Sequence, residues 1–171
     1  MPDTPLGITY PGSTGHTRLW EHFQTLAEDV DALLARKGWI AEGIRNTTSP
    51  TFTTVETVVQ SLTFDAIAGV KYKITALQSF QSTVAGEAAQ VRLRWAVGTA
   101  VTAGGTQLDS KLPAAFTVNL GALCSLVGTF VSPITDKITV GVTGIRSVGT
   151  TGTWSSFGDA KQLNTILVEG V

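Results

Sequence analysis

Two histidines, one cysteine and thirteen carboxylates are what this chain of 171 residues offers for catalysis or metal binding. Their spacing organises none of them into a site. His16 and His22 stand six apart near a helix start, so they share no helical face, and no nearby cysteine completes a zinc set. Cys124 lies in the apolar run Leu123-Cys124-Ser125-Leu126-Val127. Pairing it with a histidine would require the N-terminal zone to fold onto the C-terminal half. A single cysteine also forbids an internal disulfide or a thiolate metal site. Glu28, Asp29 and Asp31 resemble a cation site only superficially, because neighbours one and two apart diverge around a helix. They read as a solvated acidic face. Glycoside hydrolysis needs two carboxylates across a cleft. Glu56, Asp65, Glu87, Asp109, Asp136, Asp159 and Glu169 are scattered near strand ends and turns, and no pair stands out. There is no G-x-S-x-G elbow. Gly104-Gly105 and the 149–152 loop lack the lysine and following helix of a phosphate cradle, so they read as hairpin turns. The expectation is a non-enzyme without metal or cofactor.

Aromatic stacking on a β-domain is the remaining chemistry. Trp95 falls on the inward column of its strand and reads as core. Trp154 follows a Gly/Thr-rich loop and precedes Ser155-Ser156-Phe157, which makes it the candidate ligand loop for a sugar; packing against a neighbouring strand or subunit is the plainer expectation. Arg92 and Arg94 share an outward face with Lys71 and Lys73 only if their two strands pair. Otherwise they form a solvated face.

Composition excludes further classes. Lys and Arg number 12 against 13 Asp and Glu, a formal charge of −1, with no basic run to neutralise a nucleic-acid backbone. The longest apolar stretch, Leu120 to Val131, is broken by Gly121, Ser125, Gly128 and Thr129, too short to span a bilayer. The opening Met1-Pro2-Asp3-Thr4-Pro5 lacks the basic and apolar regions of a signal peptide, so synthesis in a cytoplasm is expected. Charged residues make up only 15%, while 26 Thr and 18 Gly favour strands and turns.

The elements that must carry these residues fall into four zones. Residues 1–16 form a Pro/Gly-rich arm. Leu6, Ile8 and Tyr10 alternate along it and predict an extended segment docked on another surface. Residues 17–37 predict a helix, with Thr17 as N-cap and Gly38 at the C-terminal cap. Leu19, Phe23, Leu26, Val30 and Leu33 step by four, three, four and three, a heptad seam. Trp20, Ala27 and Leu34 widen that seam to three positions of seven, which suits packing on more than one surface. Such a helix is marginal alone and needs a partner, either its own β-domain or copies of itself in a bundle. Residues 38–50 read as a linker. Residues 51–171 read as all-β: 70–74, 91–97, 116–120 and 138–142 alternate apolar and polar, as half-buried antiparallel strands do. The stretches 55–64, 126–131 and 163–168 add further candidates. About eight strands point to an antiparallel β-sandwich of jelly-roll type.

The opening Thr4-Pro5-Leu6-Gly7-Ile8-Thr9-Tyr10-Pro11, the helix segment Leu26-Ala27-Glu28-Asp29-Val30-Asp31-Ala32-Leu33-Leu34, and Phe64 to Ile74, Gln81 to Gly86 and Thr165 to Gly170 resemble small virion proteins of tailed actinobacteriophages. The resemblance spans most of the chain. It implies a homotrimeric, non-enzymatic virion component, a minor tail protein or a capsid decoration protein, and supplies no catalytic residue. The partners expected are other copies of the chain, through Leu19, Phe23, Leu26, Val30 and Leu33, and a tail or major capsid protein, through the arm. The alternative is a carbohydrate-binding module that recognises a host-surface glycan through the loops around Gly104 and Trp154. A cell-wall enzyme is the third reading.

Overall fold

The computed structural model describes residues 25–30, 38–48, 50–115, 117–119, 122–158 and 163–171. The chain divides into two units, Met1–Gly38 and Trp39–Val171. In the first, residues 25–30 are helical, with Leu26 and Val30 on one face because four residues make about one turn. Leu19, Phe23 and Leu33 of the seam, and Leu6, Ile8 and Tyr10 of the arm, lie outside the described residues.

The second unit is built of ten strands among the described residues: β1 Gly38–Arg45, β2 Thr51–Phe52, β3 Thr57–Ala66, β4 Lys71–Ser82, β5 Ala88–Val97, β6 Thr106–Lys111, β7 Ala122–Val131, β8 Asp136–Val148, β9 Trp154–Ser156 and β10 Asn164–Gly170. They form two sheets. Sheet one follows the order β1-β10-β4-β9-β2, with β7 also on β4, and sheet two the order β3-β8-β5-β6. β4 is the spine of sheet one. Its length lets β10 pair with residues 72–77 and β9 with residues 80–82, while β7 pairs over residues 71–80, all antiparallel. In chain order, the eight longer strands stand first-eighth-third-sixth in sheet one and second-seventh-fourth-fifth in sheet two. Apart from β5 to β6, each of these strands is therefore followed by one in the other sheet.

Alternation places the core. Along β4, Tyr72, Ile74, Ala76, Gln78 and Phe80 point inward and are buried, while Lys71 and Leu77 are exposed. Along β7 the inward positions are Cys124, Leu126 and Phe130. Aromatic contacts tie the sheets: Phe64 of β3 meets Tyr72 of β4 edge-on at 5.1 Å, and Trp95 of β5 stacks on Phe130 of β7 at 4.5 Å. Trp95 is thus a core residue, as its column predicts.

Side chains stitch the sandwich at its edges. On one side, the Asp109 carboxylate of β6 accepts the Val127 N–H of β7 at 3.0 Å. On the other, Gln60 of β3 donates to the Gly43 carbonyl of β1 at 3.0 Å, and Arg45 of β1 donates to the Val59 carbonyl and to the Ser156 hydroxyl. Gln78 donates to Gln60 at 2.7 Å inside the core, so this polar lane reaches β4. Unpaired strand edges invite pairing with other chains, and such caps blunt them.

Two readings are corrected here. Residues 38–45, read as linker, form β1, because sheet one supplies pairing that local sequence does not announce. The stretch 116–120, read as a strand, holds a turn at 117–119, with Asn119 at φ 57° and its N–H bonded to the Ser82 carbonyl at 2.9 Å.

Candidate functional site

The carboxylates that sequence left unassigned have partners within the chain. Glu56, just before β3, lies over the outward face of sheet two. There β5 presents Arg92 and Arg94, and β8 presents Thr143. Arg94 Nε donates to Glu56 Oε1 at 2.8 Å and Nη2 to Oε2 at 3.3 Å; Arg92 Nη1 donates to Oε2, and the Thr143 hydroxyl to Oε1. Burial pushes the Glu56 carboxyl upward. The hydrogen bonds from Arg94 and Thr143 and the charges of Arg94 and Arg92 outweigh it, and the group sits below its ordinary value. Arg92 and Arg94 are therefore not a free basic face. They do not share one with Lys71 and Lys73 either, because β4 and β5 belong to different sheets.

Glu87, in the turn between β4 and β5, is buried. Its Oε1 accepts the N–H groups of Gly152 at 2.9 Å and Thr151 at 3.3 Å. These bonds, Gly152 first, hold its carboxyl below the usual range against the opposing effect of burial, helped by Arg146. A Cβ at Gly152 would lie 1.8 Å from Glu87 Oε2. The Gly/Thr-rich loop is thus a cradle for a carboxylate of its own chain. Asp65 pairs with Lys137 at 2.8 Å and Glu169 with Lys73 at 3.1 Å. Asp159 lies outside the described residues.

Trp154 is 0% exposed and stacks on Phe52 at 6.4 Å. It is a core residue of β9 and has no face to offer a sugar, which corrects the ligand-loop reading and leaves packing against a neighbouring strand. Among the described residues the exposed aromatic side chain is Trp39, on β1. Cys124 is buried, and burial first, with the Asp109 charge second, pushes its thiol up to about 11. That is the opposite of an activated nucleophile. It borders a cavity of about 260 Å³ with Lys111, Leu112, Pro113, Leu123 and Ser125. Among the described residues no three His, Cys, Asp or Glu side chains converge as a metal set, and no helix is long and apolar enough to cross a membrane.

Some of the surface of the described residues is apolar. Leu26 and Val30 of the helical segment are 40% and 39% exposed. On β7 the outward positions Leu123, Val127 and Val131 are 65%, 46% and 56% exposed. On β4 beside it, Leu77 is also exposed. Register places Val127 across from Thr75, which in turn lies across from Leu167 of β10. Sequence reading offers 126–131 as a strand candidate but does not show that the outward column of β7 is apolar and exposed.

No family model matches the chain, and no curated protein matches it. Solved structures do resemble it. The VP2 subviral particle of infectious bursal disease virus aligns with a TM-score of 0.42 at 13% identity, over 76% of this chain and 36% of that one. This chain thus spans about a third of the length of that protein. The C-terminal domain of EclA, a sugar-binding protein, aligns with a TM-score of 0.40 at 16% identity, over 74% and 77% of the two chains. TmCBM61, solved with β-1,4-galactotriose, aligns with a TM-score of 0.34 at 13% identity, over 76% and 69%.

Proposed function

We propose that this chain is a non-enzymatic structural protein of a bacteriophage virion, a homotrimeric appendage of minor tail or capsid decoration type. The observation that carries the reading is the heptad seam Leu19, Phe23, Leu26, Val30 and Leu33, of which Leu26 and Val30 lie in a helical segment and are 40% and 39% exposed. An apolar seam of that width is suited to copies of itself. The β-domain supports the same role. Its buried carboxylates bind its own arginines and loop amides, which makes a robust module, not an acid–base pair. The strand order of the two sheets, with chain crossing between them at nearly every step, supports a jelly roll, an architecture used in viral capsids and in lectins; fold alone does not choose between those uses. Residues 1–16, with Leu6, Ile8 and Tyr10, attach the appendage to a tail or major capsid protein in this reading, and synthesis takes place in the host cytoplasm.

The test is direct. Purified particles of the encoding phage are analysed by mass spectrometry and imaged with a label on the C-terminus. Several copies at fixed positions on every particle are expected; particles that lack the chain refute the reading. The second reading, a carbohydrate-binding module, now rests on Trp39, whose exposed indole could stack on a sugar face. A glycan array supports it if binding is specific and lost in Trp39→Ala.

A further inference from the structure

The edge of the sandwich where β1 meets β3 holds a cation to which the described residues give no counter-charge. Of the four arginines among those residues, Arg92 and Arg94 pair with Glu56, and Arg146 faces the Glu87 carboxylate. Arg45 pairs with no carboxylate of the described residues. It is half-buried. Its guanidinium donates to the Val59 carbonyl and the Ser156 hydroxyl, and its Nε–H is enclosed without an acceptor. Burial lowers its pKa from the ordinary value, yet an arginine stays charged in a protein. A charge drawn partly out of water is stabilised by an opposite one, and the planar guanidinium fork matches a carboxylate. Arg45 borders a groove of about 450 Å³ with Ile44, Pro50, Val58, Gln60 and Ser61, a volume typical of small-molecule sites. We propose that this groove binds an acidic saccharide, with a sugar carboxylate on Arg45 and the sugar chain running along β1 toward Trp39. The inference deepens the second reading, that the domain binds carbohydrate, and rests on it.

Three observations favour a sugar over an acidic peptide. An extended peptide would pair with the open backbone of a sheet edge. Here the Val59 carbonyl is taken by Arg45 and the Gly43 carbonyl by Gln60, so that pairing is blocked on both walls. The lining is mixed in the way a sugar ring requires. Ile44, Pro50 and Val58 offer apolar surface to its C–H face, and Ser61, exposed, offers a hydroxyl to its polar rim. Finally, Trp39 and Arg45 stand six residues apart on β1, an even spacing that puts them on the same side of the strand. At about 3.3 Å per residue they are roughly 20 Å apart along it. An exposed indole at one end and a cation at the other match the stacking face and the charge of a short acidic oligosaccharide.

The full chain is titrated by calorimetry with tetragalacturonate, with the same tetrasaccharide fully methyl-esterified, and with tetraglutamate. The first keeps ring and charge, the second the ring alone, and the third the charge alone. Tetragalacturonate is expected to bind about tenfold or more tighter than its ester, and tetraglutamate not to compete. Arg45→Gln should abolish the preference for the acid, and Trp39→Ala should weaken acid and ester alike. Arg45 also ties β1 to β3, so a variant that fails to fold is replaced by Ser61→Glu. That change sets a carboxylate at an exposed position of the groove wall, and should weaken the acid and spare the ester. Acid and ester bound equally, with Trp39→Ala still weakening both, overturn the proposal and leave the second reading standing. Neither sugar bound overturns both. Tetraglutamate bound as tightly as the uronide overturns the saccharide assignment in favour of a peptide carboxylate. Asp159, outside the described residues, is the check on a counter-charge within the chain: if Asp159→Asn lowers the unfolding temperature as much as Arg45→Gln does, with no added loss in the double variant, Arg45 is already paired and the proposal falls.

Discussion

Replacing Glu56 by glutamine keeps the shape of the side chain and removes its charge. The amide would then face two guanidiniums, and its NH₂ would oppose donors where the carboxylate accepted four hydrogen bonds. The Glu56, Arg94 and Arg92 side chains are 12%, 12% and 19% exposed. That places the cluster between a surface ion pair, worth about 0–1 kcal/mol, and a fully buried one, whose breakage costs about 3–5 kcal/mol. The expected loss in Glu56→Gln is about 2–4 kcal/mol at neutral pH. For a domain of this size it corresponds to a fall in Tm of roughly 5–15 °C. The carboxyl of Glu56 sits below its ordinary value of 4.5 in the folded chain. Its contribution is therefore in place above that value and is lost as pH falls through the lower folded-state value. The gap between wild type and variant should narrow in acid for the same reason. Urea unfolding at a series of pH values reads both effects. A neutral-pH difference under about 0.5 kcal/mol, or a gap that widens in acid, refutes the assignment of Glu56 as the clamp over sheet two.

Gly144 of β8 lies under the Phe52 ring, and a Cβ there would meet ring carbons at 2.5–2.9 Å. Phe52 is held between Phe80 and Trp154, so Gly144→Ala should cost about 1–3 kcal/mol by overpacking, with Phe52→Leu in the same chain restoring part of it in urea unfolding. Gly152→Ala should lower Tm and alter the near-ultraviolet signal of Trp154, because the added methyl takes the place of the Glu87 carboxylate; an unchanged Tm would show that the cradle is adjustable. Cys124, buried and with its thiol raised to about 11, should react with an alkylating reagent at mildly alkaline pH at least ~100-fold more slowly in the native chain than in denaturant. Reaction at equal rates would place the thiol at the surface.

The strands that sequence made legible are those whose outward positions are polar. Alternation in 70–74 and 91–97 marks β4 and β5, and it places Trp95 inside correctly. β8 was found for an incomplete reason: its outward Thr139, Gly141 and Thr143 are not solvated but lie beneath Gly98, Val101 and Glu56, partners from distant parts of the chain. β1 escaped because Gly38-Trp39-Ile40-Ala41-Glu42-Gly43-Ile44-Arg45 has no period, and its strand state is set by β10. The ligand-loop reading of Trp154 fails because the glycines before it suggest an exposed tip. In the structure they close around Glu87 and send the indole inward, where β9 continues the line of β10 along β4. The Arg92–Glu56–Arg94 cluster was invisible for a similar reason: local pattern says that a side chain points outward, not that a carboxylate some 36 residues earlier in sequence will meet it. Leu26 and Val30 are legible as members of the heptad seam. The apolar outward column of β7 is not read from the sequence, and the strand register brings it out.

The most direct measurement is the molar mass of the full chain in solution by multi-angle light scattering, over a wide span of concentration. A species of about three times the 18.0 kDa chain mass, dissociated by Val30→Glu, is the result this account predicts. A single species at the chain mass, unchanged up to the highest concentration reached, would contradict it.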